Sequence, residues 1–359
     1  MIDTHYCREP QLVMIEGYGV LQGLMDSSRL LTKYLNIPFA TVQDPGKHAV
    51  APESWKGIRD STVLGPMCPQ KVQDSNNLTT LMAGLPGPGF TFSERDCLNL
   101  NVFAPRCVEH VPVICYIHGG LSHGGNALPK NDATNIVKQS IAKETPVVVV
   151  TINYRLLPSA GLLESSKERA MQGEDDEANE KVDWGVYDQK IALEWIRKHI
   201  HNFGGNPHEI TLMGHSSGES SAGYHLMTAR DESLFKRAIM HSESKKADKA
   251  TERVPEGRAR EQRNESDMDV GTQPTRVTLE TCVTTPSQLK PQIHGDTVEY
   301  DSEESGVPFT FMSDACMPYM TESEKQAGVR VIDWWIDFAY GNIDAEVAWP
   351  HSSQQRIYP

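Results

Sequence analysis

The chain has 359 residues, which is enough to bury the core of one large domain or two. Its formal net charge of -14 argues against nucleic acid or an anionic membrane surface as the main partner, because both are negatively charged. No apolar stretch approaches the length of a membrane span, and the opening residues lack the apolar core of a signal peptide, so the chain as written is predicted to be cytoplasmic.

An apolar strand is predicted over residues 111–117, and it ends in His118, Gly119 and Gly120. Glycines lack a Cβ, so the backbone N–H groups of such a turn can point at a single oxygen atom. This arrangement is typical of an oxyanion hole, in which N–H groups stabilise the negative oxygen of an acyl-transfer transition state. For this motif taken alone, an ordinary turn after a strand is the alternative.

Two further elements predict how the chain is layered. Residues 147–152 are mostly β-branched, which favours a central strand buried on both faces. Residues 188–200 carry an apolar face at helical spacing, formed by Ala192, Trp195, Ile196 and Ile200. Gly204 and Gly205 then follow as stop signals. Because strands alternate with helices, we predict an α/β protein with a mainly parallel central sheet flanked by helices.

The segment FGGNPHEITLMGHSSG, residues 203–218, predicts a nucleophilic serine. A short apolar strand leads into Gly214, Ser216 and Gly218, which form a G-x-S-x-G pattern. The glycines permit a sharp strand-to-helix turn that leaves the Ser216 Oγ exposed. The pattern alone recurs by chance in loops, but its combination with the glycine pair after residue 117 favours a serine hydrolase.

The last third of the chain combines a polar segment with a helix. Residues 243–292 lack aromatic side chains and are predicted to be poorly ordered. Further on, Thr321 and Glu324 form a predicted capping box. The helix that follows has one apolar face, formed by Ile332, Trp335, Ile336 and Ala339.

Ordered blocks of sequence run along most of the chain. They are YLNIPFA at 34–40, WKGIRDSTVLGPMCPQ at 55–70, SERDCLNLNVFAP at 93–105, VVVVTINYRL at 147–156 and WGVYDQKIALEWIRKHIHNFGGNP at 184–207. With the two glycine motifs, these blocks resemble the type B carboxylesterase and cholinesterase family, especially its fungal members. The resemblance implies an α/β-hydrolase fold, with one catalytic domain over residues 11–359. An internal deletion would explain why 243–292 replaces core elements of the family, which would leave the sheet incomplete.

The resemblance also implies ester hydrolysis through an acyl-enzyme on Ser216, a reaction that requires no metal or cofactor. The implied oxyanion donors are the backbone N–H groups of Gly119, Gly120 and Ser217. His294, in IHGDTVEY, matches the family's HG segment before its last helix and is the predicted general base, with a solvated loop histidine as the alternative. His215 is a poor candidate base because neighbours on a tight turn point apart, and it stands where the family usually has glutamate.

The resemblance does not fix the carboxylate of the triad. Asp269, in DVGT, is the nearest match to the family's DEGT, with Val270 where glutamate is usual. Glu256 is the alternative, and for both residues an ordinary surface charge is the favoured interpretation. The assignment matters because loss of a triad aspartate lowers the rate by a factor on the order of 10⁴.

Cys68 and Cys97 lie in the two blocks that carry a disulfide in secreted members of the family, so the resemblance implies this pairing. Disulfides persist outside the reducing cytosol, so the pair would predict a secreted protein with an incomplete N-terminus. The compartment therefore stays open between cytoplasmic and secreted.

Two hypotheses from different classes follow. The leading one is a serine carboxylesterase that acts on small-molecule esters. The alternative is a non-catalytic member of the fold that acts by surface contacts, as the cholinesterase-like adhesion proteins do, because the acid region departs from the family pattern. A third outcome is a shortened chain that does not fold cooperatively. The sequence predicts neither the acyl preference nor the oligomeric state.

Overall fold

One mixed β-sheet forms the centre of the protein. A computed structural model describes residues 11–70, 89–120, 124–156, 184–228, 234–241, 280–284 and 311–343. Within these ranges the strands are β1 (Leu12–Ile15), β2 (Gly19–Met25), β3 (Leu31–Pro38), β4 (Ile58–Ser61), β5 (Asn99–Pro105), β6 (Val111–Ile117), β7 (Val148–Ile152), β8 (Gly205–His215), β9 (Arg237–His241) and β10 (Glu280–Thr284). Their order across the sheet is β1-β2-β3-β5-β7-β6-β8-β9-β10, and β4 pairs with β2.

The two halves of the sheet differ in strand direction. From β7 through β6, β8 and β9 to β10, every pairing is parallel, as predicted. By contrast, β1, β2, β3 and β5 pair antiparallel in turn, and β5 pairs antiparallel with β7. The sequence did not predict this antiparallel half, because strand direction depends on pairing between segments that lie far apart in the chain.

Strand β6 lies where the direction of chain progress reverses. After β6 the chain forms β7 on one side of it and then β8 on the other side. Such a reversal opens a crevice at the carboxyl ends of the strands, where ligands bind in open α/β sheets. The segment after β6 and the turn after β8 both lie at this edge, so two motifs far apart in sequence can meet there.

Helices cover both faces of the sheet. The described helices are α1 (Thr134–Ala142), α2 (Trp184–His199), α3 (Ser217–Thr228) and α4 (Glu322–Tyr340), with 3-10 turns at Pro129–Asn131, Ile200–Phe203 and Met317–Tyr319. The side chains of β6 show the layering. Val113, Cys115 and Ile117 pack into the core that contains α2, whereas Ile114 and Tyr116 pack into the core that contains α1 and α4. Both faces of the parallel half are therefore buried.

The predicted helices are present. Helix α2 includes Ala192, Trp195 and Ile196 of the apolar face predicted over 188–200, but it begins earlier and ends at His199. Ile200 lies in the following 3-10 turn, which Gly204 ends with a φ of 84°. At α4 the predicted capping box forms, since the Thr321 side chain accepts from the Glu324 N–H and Glu324 Oε2 accepts the Thr321 N–H at 2.6 Å. None of the described helices is long and apolar enough to cross a membrane.

Strand β10 lies inside 243–292, where the sequence analysis predicted no ordered element. It pairs in parallel with β9, from Glu280 opposite Arg237 to Thr284 opposite His241. In the described part of the sheet β10 is an edge strand, and backbone hydrogen bonds to one neighbour need no apolar run to form. The rest of 243–292 lies outside the described residues, so its poor order and the single-domain arrangement stay predictions.

Candidate active site

A strand-to-helix turn carries Ser216. Strand β8 ends at His215 and helix α3 begins at Ser217, so Ser216 is the single residue between them. Its φ of 54° lies in the left-handed region, which a non-glycine residue occupies only at a cost in free energy. Strain of this kind is typical of a nucleophile elbow, where it holds the serine hydroxyl clear of the backbone.

Close packing explains the glycines on both sides of Ser216. A Cβ on Gly214 would overlap the backbone of Gly218, and a Cβ on Gly218 would overlap the carbonyl oxygen of Ile117. Ile117 is the last residue of β6, so helix α3 starts in direct contact with the neighbouring strand. We call residues 214–218 the serine elbow, and backbone packing sets its shape.

The glycine loop, defined as residues 118–125, follows β6 and lies against the serine elbow. The structure describes residues 118–120 and 124–125 of it. A Cβ on Gly119 would lie 2.6 Å from the His215 carbonyl oxygen and 3.0 Å from the Ser216 Cβ, so the two backbones are in van der Waals contact. Gly120 has a φ of 92°, a conformation that favours glycine. The structure therefore brings together the two motifs that the sequence analysis singled out.

Two contacts hold the start of the glycine loop. Tyr154 donates its hydroxyl to the His118 carbonyl oxygen at 2.6 Å, and its ring stacks on the His118 ring with 4.4 Å between the centroids. The His118 Nδ1 lies 2.9 Å from the Gly119 carbonyl oxygen, a contact in which Nδ1 carries the proton. Groups of the protein thus hold the carbonyl oxygens of His118 and Gly119. A loop that donates its N–H groups to a ligand requires its carbonyl oxygens to be held in this way.

A small cavity lies between the serine elbow and the glycine loop. Its lining also includes the end of β6 and the turn before α1, and comprises Tyr116, His118, Gly119, Gly120, Gly124, Leu128, Lys130, Asn131, His215 and Ser216. Ser216 is half-buried at this cavity, whereas His118 and His215 are buried. The cavity therefore borders both Ser216 and the described residues of the glycine loop.

The predicted base and acid lie outside the described residues. This holds for His294 and for both candidate carboxylates, Asp269 and Glu256, so their roles stay predictions. His215 is described, and its Nδ1 lies 3.3 Å from the position of a Cβ on Gly119. The His215 ring therefore packs against the glycine loop.

Helix α3 is supported behind Ser216 by a chain of hydrogen bonds. The His225 Nε2 lies 3.0 Å from the Gln189 Oε1, and the Gln189 Nε2 donates to the Ser221 Oγ at 3.2 Å. Ser221 in turn donates to the Ser217 carbonyl oxygen at 3.2 Å. Burial, and then the charge of Lys190, lower the pKa of His225 to about 4, so this histidine is neutral at pH 7. The sequence did not predict these hydrogen bonds, although residues 217, 221 and 225 lie at helical spacing.

A second feature that the sequence did not predict is the buried amide cluster, which we define as Asn99, Asn101, Asn126 and Asn153. The Asn126 side chain donates to the Asn99 carbonyl oxygen at 3.0 Å, and the Asn126 N–H donates to the Asn153 Oδ1 at 2.8 Å. Through these hydrogen bonds Asn126, the residue after the glycine loop, is joined to β5 and to the end of β7. Single polar residues in apolar strands have no periodic pattern that would reveal such a cluster.

The cysteines divide into bonded and free residues. A disulfide joins Cys68 to Cys97, whose Cα atoms are 4.8 Å apart, and Cys107 is also disulfide-bonded. Cys115 and Cys316 are free and buried. Within the described ranges, no group of three or more His, Cys, Asp or Glu side chains could hold a metal ion.

Comparison with known proteins gives a consistent set of relatives. Residues 9–288 match the Carboxylesterase family. An acylcarnitine hydrolase of Mus musculus is 34% identical over 235 residues, covering 62% of this chain and 38% of that protein. A para-nitrobenzyl esterase of Bacillus subtilis (strain 168) is 33% identical over 235 residues, covering 64% and 43%. A solved structure of a PNB esterase matches with a TM-score of 0.48 and 31% identity, over 65% of this chain and 44% of that chain. This chain thus spans about two fifths of the length of these relatives.

Proposed function

We propose, from the premise that this chain belongs to the carboxylesterase family, that it hydrolyses carboxylic esters through an acyl-enzyme on Ser216. The α/β-hydrolase fold expected from the sequence is confirmed by this membership and agrees with the order of the strands. The observation that supports the proposal most directly is the contact between the Gly119 backbone and Ser216. The Ser216 side chain and a glycine turn are thus neighbours, as attack on a carbonyl group held by that turn requires.

In the first step, the Ser216 Oγ attacks the ester carbonyl carbon and the carbonyl oxygen becomes negative. The proposed donors to this oxygen are the backbone N–H groups of Gly119, Gly120 and Ser217. Loss of one such donor raises the barrier by about 3 kcal/mol in comparable sites. Because α3 begins at Ser217, the positive end of the helix dipole lies at the same place.

Proton transfer completes the cycle. In this proposal His294 takes the Ser216 hydroxyl proton and returns it to the leaving alkoxide, which departs as the alcohol. Water, deprotonated by the same histidine, then attacks the acyl carbon, and the C–O bond to Ser216 breaks to release the carboxylic acid and restore the hydroxyl. Asp269, or Glu256, would orient His294 and stabilise its imidazolium form. These steps require no metal or cofactor.

The proposed substrates are small-molecule esters. Relatives named acylcarnitine hydrolase and para-nitrobenzyl esterase support this class. Nucleic acid is a poor partner for a chain with a net charge of -14, because the two would repel each other.

Covalent labelling tests the proposal. Incubation of the folded protein with a fluorophosphonate should give one adduct, on the peptide that contains Ser216, and none in Ser216→Ala. Ser220→Ala is the matched control, because Ser220 is exposed on the same helix. Hydrolysis of p-nitrophenyl butyrate should fall by a factor on the order of 10³ or more in Ser216→Ala and stay near the wild-type rate in Ser220→Ala.

Two results would contradict the proposal. A wild-type chain that melts cooperatively but takes no label would favour the non-catalytic alternative, in which the protein acts by surface contacts. A chain without a cooperative thermal transition would show that the sequence as given has no folded, active form.

A further inference from the structure

The glycine loop is held at its far end by the side chain of Gln70. The Gly124 N–H donates to the Gln70 Oε1 at 2.8 Å, and the Gln70 Nε2 donates to the Gly124 carbonyl oxygen at 2.7 Å. The second hydrogen of Nε2 serves the Cys68 carbonyl oxygen, which lies 3.0 Å away. One primary amide thus satisfies both backbone polar atoms of a glycine that neighbours the proposed oxyanion hole.

Gly124 is in direct contact with the part of the loop that faces Ser216. A Cβ on Gly124 would lie 2.7 Å from the Gly119 carbonyl oxygen and 2.7 Å from the His118 Nδ1. Gly124 also has a φ of 132°, which a residue with a side chain rarely adopts. Any displacement of Gly124 toward Gly119 would therefore push the Gly119 backbone, and displacement away would remove this contact.

The disulfide supports both anchors of this region. Gln70 follows Cys68 by two residues, and Asn99 follows Cys97 by two residues. The Asn99 carbonyl oxygen accepts the Asn126 side chain, so one flank of the disulfide holds residue 126 while the other holds residue 124. Residues 124 and 126, at the end of the glycine loop, are thus both held by residues that lie next to the disulfide.

We infer that Gln70 is a positioning residue of the oxyanion hole: its amide fixes Gly124, and Gly124 fixes the Gly119 backbone at Ser216. This inference rests on the proposed function and gives Gln70 no contact with the substrate. Donors to an oxyanion act mainly in the transition state, so misplacing them lowers kcat more than it raises KM. A shift of about 1 Å in such a site can lower the rate by a factor on the order of 10².

The variant Gln70→Glu tests the inference. Glutamate has nearly the same shape, but an oxygen replaces the Nε2 donor and faces the carbonyl oxygens of Gly124 and Cys68. We expect kcat for p-nitrophenyl butyrate to fall by about tenfold or more with KM changed by less than about threefold, since part of the donor effect is lost. Affinity for a trifluoromethyl ketone, which forms an oxyanion-bearing adduct with the serine, should fall by a similar factor. Gln22→Glu is the matched control, because Gln22 is exposed on β2 and makes the same change of charge.

Turnover is divided by the number of sites that a fluorophosphonate labels at completion, so that a smaller folded fraction does not imitate a lower kcat. A lower kcat per labelled site in Gln70→Glu supports the inference. An unchanged kcat per labelled site overturns it, even if the melting temperature falls, because Gln70 is then only a structural residue. If Gln70→Glu does not fold, the same comparison is made with Gln70→Met, which removes the hydrogen bonds without adding charge. Failure of the wild type to label would overturn the proposed function itself, whereas a labelled wild type with an unaffected Gln70 variant overturns this inference only.

Discussion

The serine elbow and the glycine loop face one cavity, but different parts of the chain hold them in place. At the elbow, backbone meets backbone, because Gly218 packs directly on the end of β6. At the glycine loop, side chains from distant parts of the sequence hold the backbone, with Tyr154 at His118 and Gln70 at Gly124. The difference teaches that this site joins a part whose motif is continuous in sequence and packs through backbone atoms to a part that distant side chains hold. The two parts should therefore respond differently to mutation.

The largest effect is expected from Gly218→Ala, which alters the elbow. The added methyl group would overlap the Ile117 carbonyl oxygen, so the backbone of the elbow has to move. We expect a loss of about 1–3 kcal/mol in the free energy of unfolding and a fall in turnover on the order of 10². Urea unfolding and p-nitrophenyl butyrate hydrolysis measure the two effects.

Gly223→Ala is the matched control on the same helix. Its Cβ would find Met240 Sδ at 3.6 Å as the nearest described atom, an ordinary contact. Alanine is the better helix former by up to about 1 kcal/mol, so this variant should be as stable as the wild type or more stable, with normal turnover. Equal losses in the two variants would show that close packing at residue 218 does not shape the elbow.

A smaller effect is expected from Tyr154→Phe, which alters the remote support of the glycine loop. The ring that stacks on His118 is kept, but the His118 carbonyl oxygen loses its donor at 2.6 Å. We expect a loss of about 1 kcal/mol in stability and a fall in kcat of severalfold. Tyr18→Phe is the control, because Tyr18 also stacks on a ring, that of Trp55, and no described residue bonds its hydroxyl. A less stable Tyr154→Phe with normal kcat would mean that the loop keeps its shape without this bond.

The last prediction concerns pH and sharpens the comparison, because it probes side chains that support the helix behind the elbow. The pKa of His225 is lowered by burial, and then by Lys190, to about 4 from 6.5. The unfolded chain therefore binds this proton at higher pH than the folded chain. The contribution of His225 to the free energy of unfolding is therefore fully present above about pH 6.5. It is lost progressively as the pH falls toward 4.

Urea midpoints between pH 7 and pH 5 measure this dependence. The variant His225→Gln keeps a side-chain N–H that can donate to Gln189. Between pH 7 and pH 5 its urea midpoint should fall less than that of the wild type. Part of the slope should persist, because burial also lowers the pKa of His199 to about 4. His208→Gln, at an exposed position, should keep the wild-type slope. An unchanged slope in His225→Gln would contradict the assignment.

The sequence predicted the serine elbow because all its parts lie within a few residues of each other. The strand, the two glycines and Ser216 form one continuous pattern. The chemistry of the glycine loop was predicted from His118 to Gly120, but its supports were not. Gln70 and Gly124 are 54 residues apart, and a side chain that bonds a distant backbone leaves no periodic signal.

The fold shows the same division. The buried strands β6 and β7, the apolar end of β8 and the helices α2 and α4 have an apolar pattern or a capping box, and they were predicted. The antiparallel half and the edge strand β10 depend on pairing between separate segments of the chain, which only the assembled sheet reveals. The base at His294 and the acid at Asp269 or Glu256 lie outside the described residues and stay predictions.

Cys115 lies in the middle of β6, directly beneath the strand end that leads to the active site, and it is fully buried. Burial raises the pKa of its thiol, and alkylating reagents attack the thiolate. Iodoacetamide can therefore modify this residue only when the central strand separates from its neighbours. The rate of that modification would measure how often the middle of the sheet opens, so the protein contains a natural chemical reporter of its own unfolding.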